Sequence, residues 1–126
     1  MFNDLELMRM ANAMASHAST RQSAVAQNVA NADTPGYRAV DVTSFAQSYA
    51  EAQSGMRTTR PAHIGATPGM LEAYEVDPDG RESPNGNTVA LEAEMMKANE
   101  VRHQHDMALA IYQTSLDILR MSIGRR

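Results

Sequence analysis

Asn28-Val29-Ala30-Asn31-Ala32-Asp33-Thr34-Pro35-Gly36-Tyr37 is the stretch in which this chain turns a corner. Asn31 suits the left-handed conformation that closes a helix. Thr34 precedes a proline and is driven towards extended backbone. Pro35-Gly36 suits the two central positions of a type II turn, proline fixing φ and glycine supplying a positive one. The stretch reads as a helix stop followed by a sharp turn. It divides one structural unit into a helix over 1–31, a turn and irregular segment over 32–87, and a helix over 88–126.

Upstream of the corner, Asn3 and Glu6 have the spacing of a helix start, a cap and a returning acid. Met8, Ala11, Ala15, Ala18, Gln22, Val25 and Val29 then recur at alternating intervals of three and four, which puts them on one helical stripe with coiled-coil spacing. A helix over 4–29 spans roughly 40 Å. Its stripe is rich in alanine, so a partner helix can approach closely while little area is buried.

Downstream, residues 35–87 hold all five prolines and six of the seven glycines. Turn pairs stand at Pro35-Gly36, Pro68-Gly69, Asp79-Gly80 and Asn85-Gly86. Short strands are expected over 38–43 and 70–76, the latter because Leu71, Ala73 and Glu75 alternate with Glu72 and Tyr74. The segment offers too little apolar surface to offset its ordering entropy, which predicts disorder over much of it in the free monomer.

Ser83-Pro84-Asn85-Gly86-Asn87-Thr88 leads into the last helix, with Asn87 or Thr88 as its expected cap and Glu92 and Glu94 at its positive end. Leu91, Met95, Ala98, Arg102, His105, Leu109, Tyr112, Leu116, Leu119 and Ile123 follow the three-four alternation nearly to the terminus. Arg102 and His105 are the interruptions. The expected fold is therefore mainly α: two long terminal helices packed as a coiled coil, antiparallel or crossing, around an irregular, weakly β middle. Two helices cannot hide both such stripes from water, so assembly with copies or partners is expected.

Composition narrows the function classes. In 126 residues, 43% are apolar, but ten are methionine and only six are aromatic. That mixture favours helices in close contact over a thick core, and methionine adapts to varied neighbours. The absence of cysteine excludes disulfides, thiolate metal sites and cysteine nucleophiles. The net charge of −4 arises in 32–87, where eight acids face four bases, while both terminal segments are neutral. With no basic face, nucleic-acid binding is not expected. No segment is apolar enough to span a bilayer. The acidic start Met1-Phe2-Asn3-Asp4-Leu5-Glu6 does not read as a secretory signal, so any export uses another route.

Nor does chemistry emerge. His103 and His105 lie two apart on a helix and point some 200° apart, so they cannot hold one metal ion together. His17 and His63 complete no set. Asp77-Pro78-Asp79-Gly80 fails the calcium-loop spacing, since Gly86 stands where the closing glutamate belongs. No nucleophile elbow or phosphate loop is present. No enzyme, cofactor or small-molecule substrate is expected. Phe45 and Tyr49 have the i, i+4 spacing of a helical aromatic pair.

The corner string from Asn28 to Tyr37 resembles the signature of bacterial flagellar axial proteins, the rod, hook and hook-associated subunits, carried by Asn28, Ala30, Asn31, Thr34, Pro35, Gly36 and Tyr37. Ser83-Pro84-Asn85-Gly86-Asn87-Thr88-Val89 with Leu91-Glu92 and Glu94-Met95 is similar to the proximal rod members of that family. Asp41-Val42 and Phe45 add to the likeness, and the length leaves no room for the large inserted domains of hook subunits. Ala90 departs from the acid usual after Thr-Val. The resemblance implies a non-enzymatic building block of a hollow helical rod in the flagellar basal body, lying in the periplasmic space. It implies synthesis in the cytoplasm and type III export through the flagellar export apparatus without a cleaved signal. Implied partners are its own copies, other proximal rod proteins and the adaptor between rod and membrane ring. Phe45 and Tyr49 also resemble a short export-gate recognition element, although the plain aromatic pair is the favoured reading.

Overall fold

A computed structural model describes residues 2–54, 74–76 and 82–124. Helix α1 runs Phe2–Ala30, strand β1 Val40–Val42, helix α2 Phe45–Ser54, strand β2 Tyr74–Val76 and helix α3 Leu91–Ile123. At about 1.5 Å per residue, α1 is roughly 43 Å long and α3 roughly 50 Å. They pack side by side and antiparallel. Asn28 near the end of α1 meets Glu94 near the start of α3, and Arg21, two turns earlier, meets Glu100.

The seam between them is thin because its residues are small. Ala11, Ala18, Ala24 and Val25 of α1, and Val101, Ala108 and Ser115 of α3, are buried. On α3 the buried residues Glu94, Val101, Ala108 and Ser115 recur at seven, the period that keeps one face of a helix on its partner. Alanine at these points lets the backbones close up, and each contact contributes mostly packing rather than transferred area.

β1 and β2 pair antiparallel, Val40 opposite Val76, Asp41 opposite Glu75 and Val42 opposite Tyr74. Both strands fall within the expected segments and are shorter than them. The middle is less irregular than its composition suggests, since α2 gives it a further helix. The Phe45 and Tyr49 rings stack one turn apart on α2 at 5.3 Å. The expected disorder and the turn pairs at 68–69 and 79–80 lie outside the described residues.

Two terminus expectations are corrected. α1 already runs through Asn3, so its cap is not there. α3 starts at Leu91 with Ala90 at the cap position and no side-chain cap. Asn87 and Thr88 are engaged elsewhere, as the geometry below explains.

Candidate functional site

The two sequence blocks, 46 residues apart at their nearest, fold into one junction at the end of α1. Tyr37 N donates to Thr34 O at 3.3 Å and Gly36 has φ +72°, which together make the 34–37 segment the type II turn that Pro35-Gly36 calls for. In the second block Gly86 N donates to Ser83 O at 2.8 Å and Ser83 N to Asn87 O at 2.8 Å. Pro84 takes the second position of this turn, and Gly86 leaves it with φ +80°, as in a tight hairpin closed by a left-handed glycine.

The turns are stitched to each other. Gly36 N donates to Asn85 O at 3.0 Å, Thr88 N to Tyr37 O at 3.1 Å and Ala39 N to Thr88 Oγ1 at 2.8 Å. Gly36 and Gly86 sit back to back: a Cβ on Gly86 would lie 3.4 Å from the Gly36 Cα. At the centre is the buried Asn87. Its Nδ2 donates to the carbonyls of Asn31, Ala32 and Thr34 at 3.0, 2.7 and 2.9 Å. Its Oδ1 accepts from Val89 N at 2.7 Å. One amide thus satisfies carbonyls of the corner that follows α1, which is why it is not spare to cap α3.

Asn31 closes α1 differently from the expectation. Among the described residues no non-glycine has positive φ, so Asn31 is not left-handed. Its N–H reaches Gln27 O and Asn28 O, both at 3.1 Å, and its Nδ2 donates to Gln27 O at 2.8 Å. With its side chain holding the last turn, and Asn87 taking the next carbonyls, no left-handed residue is required.

Asn28 secures the other side of the corner. Its Oδ1 accepts from Val40 N at 3.0 Å and from Tyr37 Oη at 3.3 Å. Its Nδ2 donates to Val40 O at 2.7 Å and Glu94 Oε2 at 3.0 Å. All four of its bonding positions are filled. A side chain that reads both the N–H and C=O of Val40 acts as a strand edge, and so aligns β1 along α1.

Charges lie beside it. Glu94, 2% exposed, also accepts from Lys97 at 3.0 Å, and Lys97 stands 3.8 Å from Asp41. Arg21 grips Asp41 with two hydrogen bonds of 2.9 and 3.1 Å. Burial pushes the Asp41 carboxyl up. The Arg21 hydrogen bonds, the Val42 N–H and the charges of Arg21 and Lys97 together outweigh that, and hold it below its ordinary value. The hydrogen bonds that Arg21 donates to Asp41 likewise raise Arg21 against the opposing effect of burial. Nearby, His17 Nε2 donates to Thr43 O at 2.8 Å and its ring meets Phe45 edge-on at 5.6 Å. Buried side-chain polar atoms without a partner are absent among the described residues. So is any grouping of three or more His, Asp or Glu fit for a metal ion.

The expected helix stripes are placed as follows. On α1, Ala11, Ala18 and Val25 are buried, Met8 and Ala15 half-buried, and Val29 exposed. On α3, Ala98, Leu116 and Leu119 are half-buried, while Leu91, Met95, Leu109, Tyr112 and Ile123 are exposed. The face of α3 that meets α1 is instead the one carrying Glu94, Val101, Ala108 and Ser115, about 80° round the helix from the apolar stripe. The sequence signal for that face, a mixed set of Glu, Val, Ala and Ser every seven positions, is outweighed by the larger apolar side chains beside it. Nine of the twelve exposed large hydrophobics of the described chain are on α3. Asn87 as the central tie also lacked a sequence signal, since its three partners are backbone carbonyls some 53–56 positions away.

Residues 10–38 match the family model described as "Flagella basal body rod protein", a span that holds most of α1 and the whole first turn. The chain is 33% identical over 127 residues to the flagellar basal body rod protein FlgB of Agrobacterium fabrum, covering 96% of this chain and 95% of that one. It is 33% identical over 114 residues to FlgB of Aeromonas hydrophila, with 84% and 78% covered. Against FlgB of Escherichia coli the identity is 34% over 101 residues, with 71% and 72% covered.

Proposed function

Because this chain belongs to the family of FlgB flagellar basal body rod proteins, a structural and non-enzymatic family, we propose a specific place for it in the rod. It is a structural subunit of the flagellar basal body. In the proposal it is exported through the flagellar export apparatus and joins its own copies and other proximal rod proteins in a hollow helical drive shaft. That shaft stands in the periplasmic space and meets the adaptor at the membrane ring.

The observation that carries the proposal is the division of α3 into two functions. One face, carrying Glu94, Val101, Ala108 and Ser115, is used inside the chain against α1; the rest carries large apolar side chains that α1 leaves exposed. Isolated apolar residues on a surface are ordinary, but a long run along one helix marks a place for a partner. A subunit docked by such faces in a head-to-tail sense builds a tube when the contact does not close on itself. The matched relatives are rod proteins over 71–96% of this chain, which does not favour a discrete soluble adaptor or chaperone.

The test is complementation of a strain lacking the subunit, with basal bodies isolated and probed for the protein. Recovery of motility and presence of the chain in the rod fraction are expected. Circular dichroism of the purified protein across a concentration series is the companion measurement. Helicity and melting temperature should rise with concentration or with added rod proteins; a discrete dimer unaffected by either would overturn the assembly reading.

A further inference from the structure

Asn85 is the one asparagine of this sequence that a glycine follows, and it is exposed on the second turn of the junction. An asparagine side chain carries an electrophile, its amide carbon Cγ, which can close a five-membered ring with the next main-chain nitrogen. Glycine in that next place has no Cβ to obstruct the approach.

The fold decides when this chemistry can run. Pro84 and Asn85 are the central residues of a turn closed by Gly86 N donating to Ser83 O at 2.8 Å, and Asn85 has no positive φ. Such a closed turn is type I, with ψ about 0° at Asn85. Gly86 N then eclipses the Asn85 nitrogen and stands about 120° of rotation away from the side chain. Ring closure needs that rotation, which sweeps Gly86 N off Ser83 O. It also swings away the Asn85 carbonyl, to which Gly36 N donates at 3.0 Å. Asn87 N donates to Asn85 Oδ1 at 3.1 Å and restrains the side chain as well. The bonds that join the two turns therefore hold nucleophile and electrophile apart.

We propose that Asn85-Gly86 is a spontaneous deamidation site, active while the chain is open and silenced when the junction closes. Gly86 N gives its proton to water and attacks Cγ of Asn85; the new C–N bond forms, Cγ–Nδ2 breaks, and ammonia leaves. Water then opens the succinimide at one of its two carbonyls, and no oxidant or reductant is consumed. Attack at Cγ restores the ordinary main chain with aspartate at 85. Attack at the Asn85 main-chain carbonyl carbon leaves Gly86 N bonded to Cγ, an isoaspartyl link.

The two products differ for the junction. Aspartate keeps the main chain and an Oδ1 for Asn87 N. The isoaspartyl link adds a methylene to the main chain just before the buried Asn87, and turns the carbonyl that received Gly36 N into a free carboxylate. Asn87 Nδ2 reaches the carbonyls of Asn31, Ala32 and Thr34 at 3.0, 2.7 and 2.9 Å, so a displacement of that size prevents closure. Chains that close the junction early stay intact, and chains kept open acquire a lesion that stops them closing. None of this depends on where the subunit sits in the flagellum.

The test ages the full chain in mildly alkaline buffer, one portion at a concentration where circular dichroism shows it helical and one in unfolding urea. Peptides spanning 82–97 are weighed by mass spectrometry, and isoaspartate is counted with isoaspartyl methyltransferase. Loss of Asn85 should be at least about tenfold slower in the helical sample. Equal rates, or no loss in urea, would overturn the proposal. Asn87→Ala unties the centre of the junction and should raise the rate in native buffer towards the urea value, whether or not its helices still pair. A rate in that variant as low as the parent's would overturn the proposal too. After return to native buffer, isoaspartyl chains should be cut within 31–37 faster than the parent, whereas Asn85→Asp should resist like the parent. Isoaspartyl chains as resistant as the parent would show that the link does not prevent closure.

Discussion

The side-chain amide of Asn28 donates to the Glu94 carboxylate at 3.0 Å, and both residues are buried where α1 crosses the start of α3. The same amide group holds the N–H and C=O of Val40. One residue therefore fixes the strand to the first helix and the first helix to the last. A buried polar group left without its partner costs more than the bond itself contributes.

Asn28→Ala should accordingly lower stability by about 2–4 kcal/mol, seen as an earlier thermal transition of the purified protein. Asn28→Asp should be at least as damaging at neutral pH, because it sets a second carboxylate against Glu94. Its deficit should shrink on acidification as one of the pair takes up a proton. An Asp variant that melts like the parent at pH 7 would show that this contact does not hold the seam.

Asn87 supplies an N–H group to three carbonyls at once, so its isostere is a sharp probe. Asn87→Asp turns two donors into an acceptor facing those carbonyls and should destabilise more than Asn87→Ala, which leaves room for water. Each is expected to cost upwards of about 2 kcal/mol. Proteolysis within 31–37 should accelerate in the same order.

Gly36 and Gly86 have positive φ for different surroundings. A Cβ on Gly36 meets nothing within 4 Å, so Gly36→Ala carries only the backbone penalty of about 1–2 kcal/mol. Gly36→Val adds the cost of β-branching in that conformation and should impair rod assembly more than it lowers monomer solubility. Unchanged motility in the valine variant would separate the corner from assembly.

Asp41 is held below its ordinary value, so the sign of its pH effect is fixed. A carboxyl depressed in the folded state adds stability above its unfolded pKa, near 4, and that contribution is lost as pH falls through the folded value. Melting temperature should drop below about pH 4. Asp41→Asn should be less stable at neutral pH and flatter across that acid range.

One residue's rotation on α3 separates folding from assembly. Ala108 is fully buried against α1, and Ala108→Leu should overpack the seam by about 1–3 kcal/mol. Leu109 is exposed, so Leu109→Lys should leave the monomer melt within about 0.5 kcal/mol while reducing incorporation into basal bodies. Equal effects of the two on monomer stability would contradict the placement of the seam.

What the sequence determined by itself is local or periodic. Pro35-Gly36 is restricted to its turn by backbone sterics alone, the three-four alternation yields two long helices whatever they pack on, and valine-rich and alternating segments yield short strands at 40–42 and 74–76. The corner and 83–89 blocks were each legible as strings, and they carried the likeness to the rod family. Tertiary structure decided how those pieces meet. Asn31 needed no left-handed backbone because an amide from residue 87 could take the next carbonyls, and Asn87 did not cap α3 for the same reason. The helix seam settled on alanine, valine and serine rather than on the larger apolar stripe, because the Asn28–Glu94 hydrogen bond and the Arg21–Glu100 and Asp41–Lys97 ion pairs tie one rotation of α3 to α1 and β1. Hydrophobic spacing specifies that a face is apolar, but not which partner covers it; that depends on polar contacts between residues far apart in the chain.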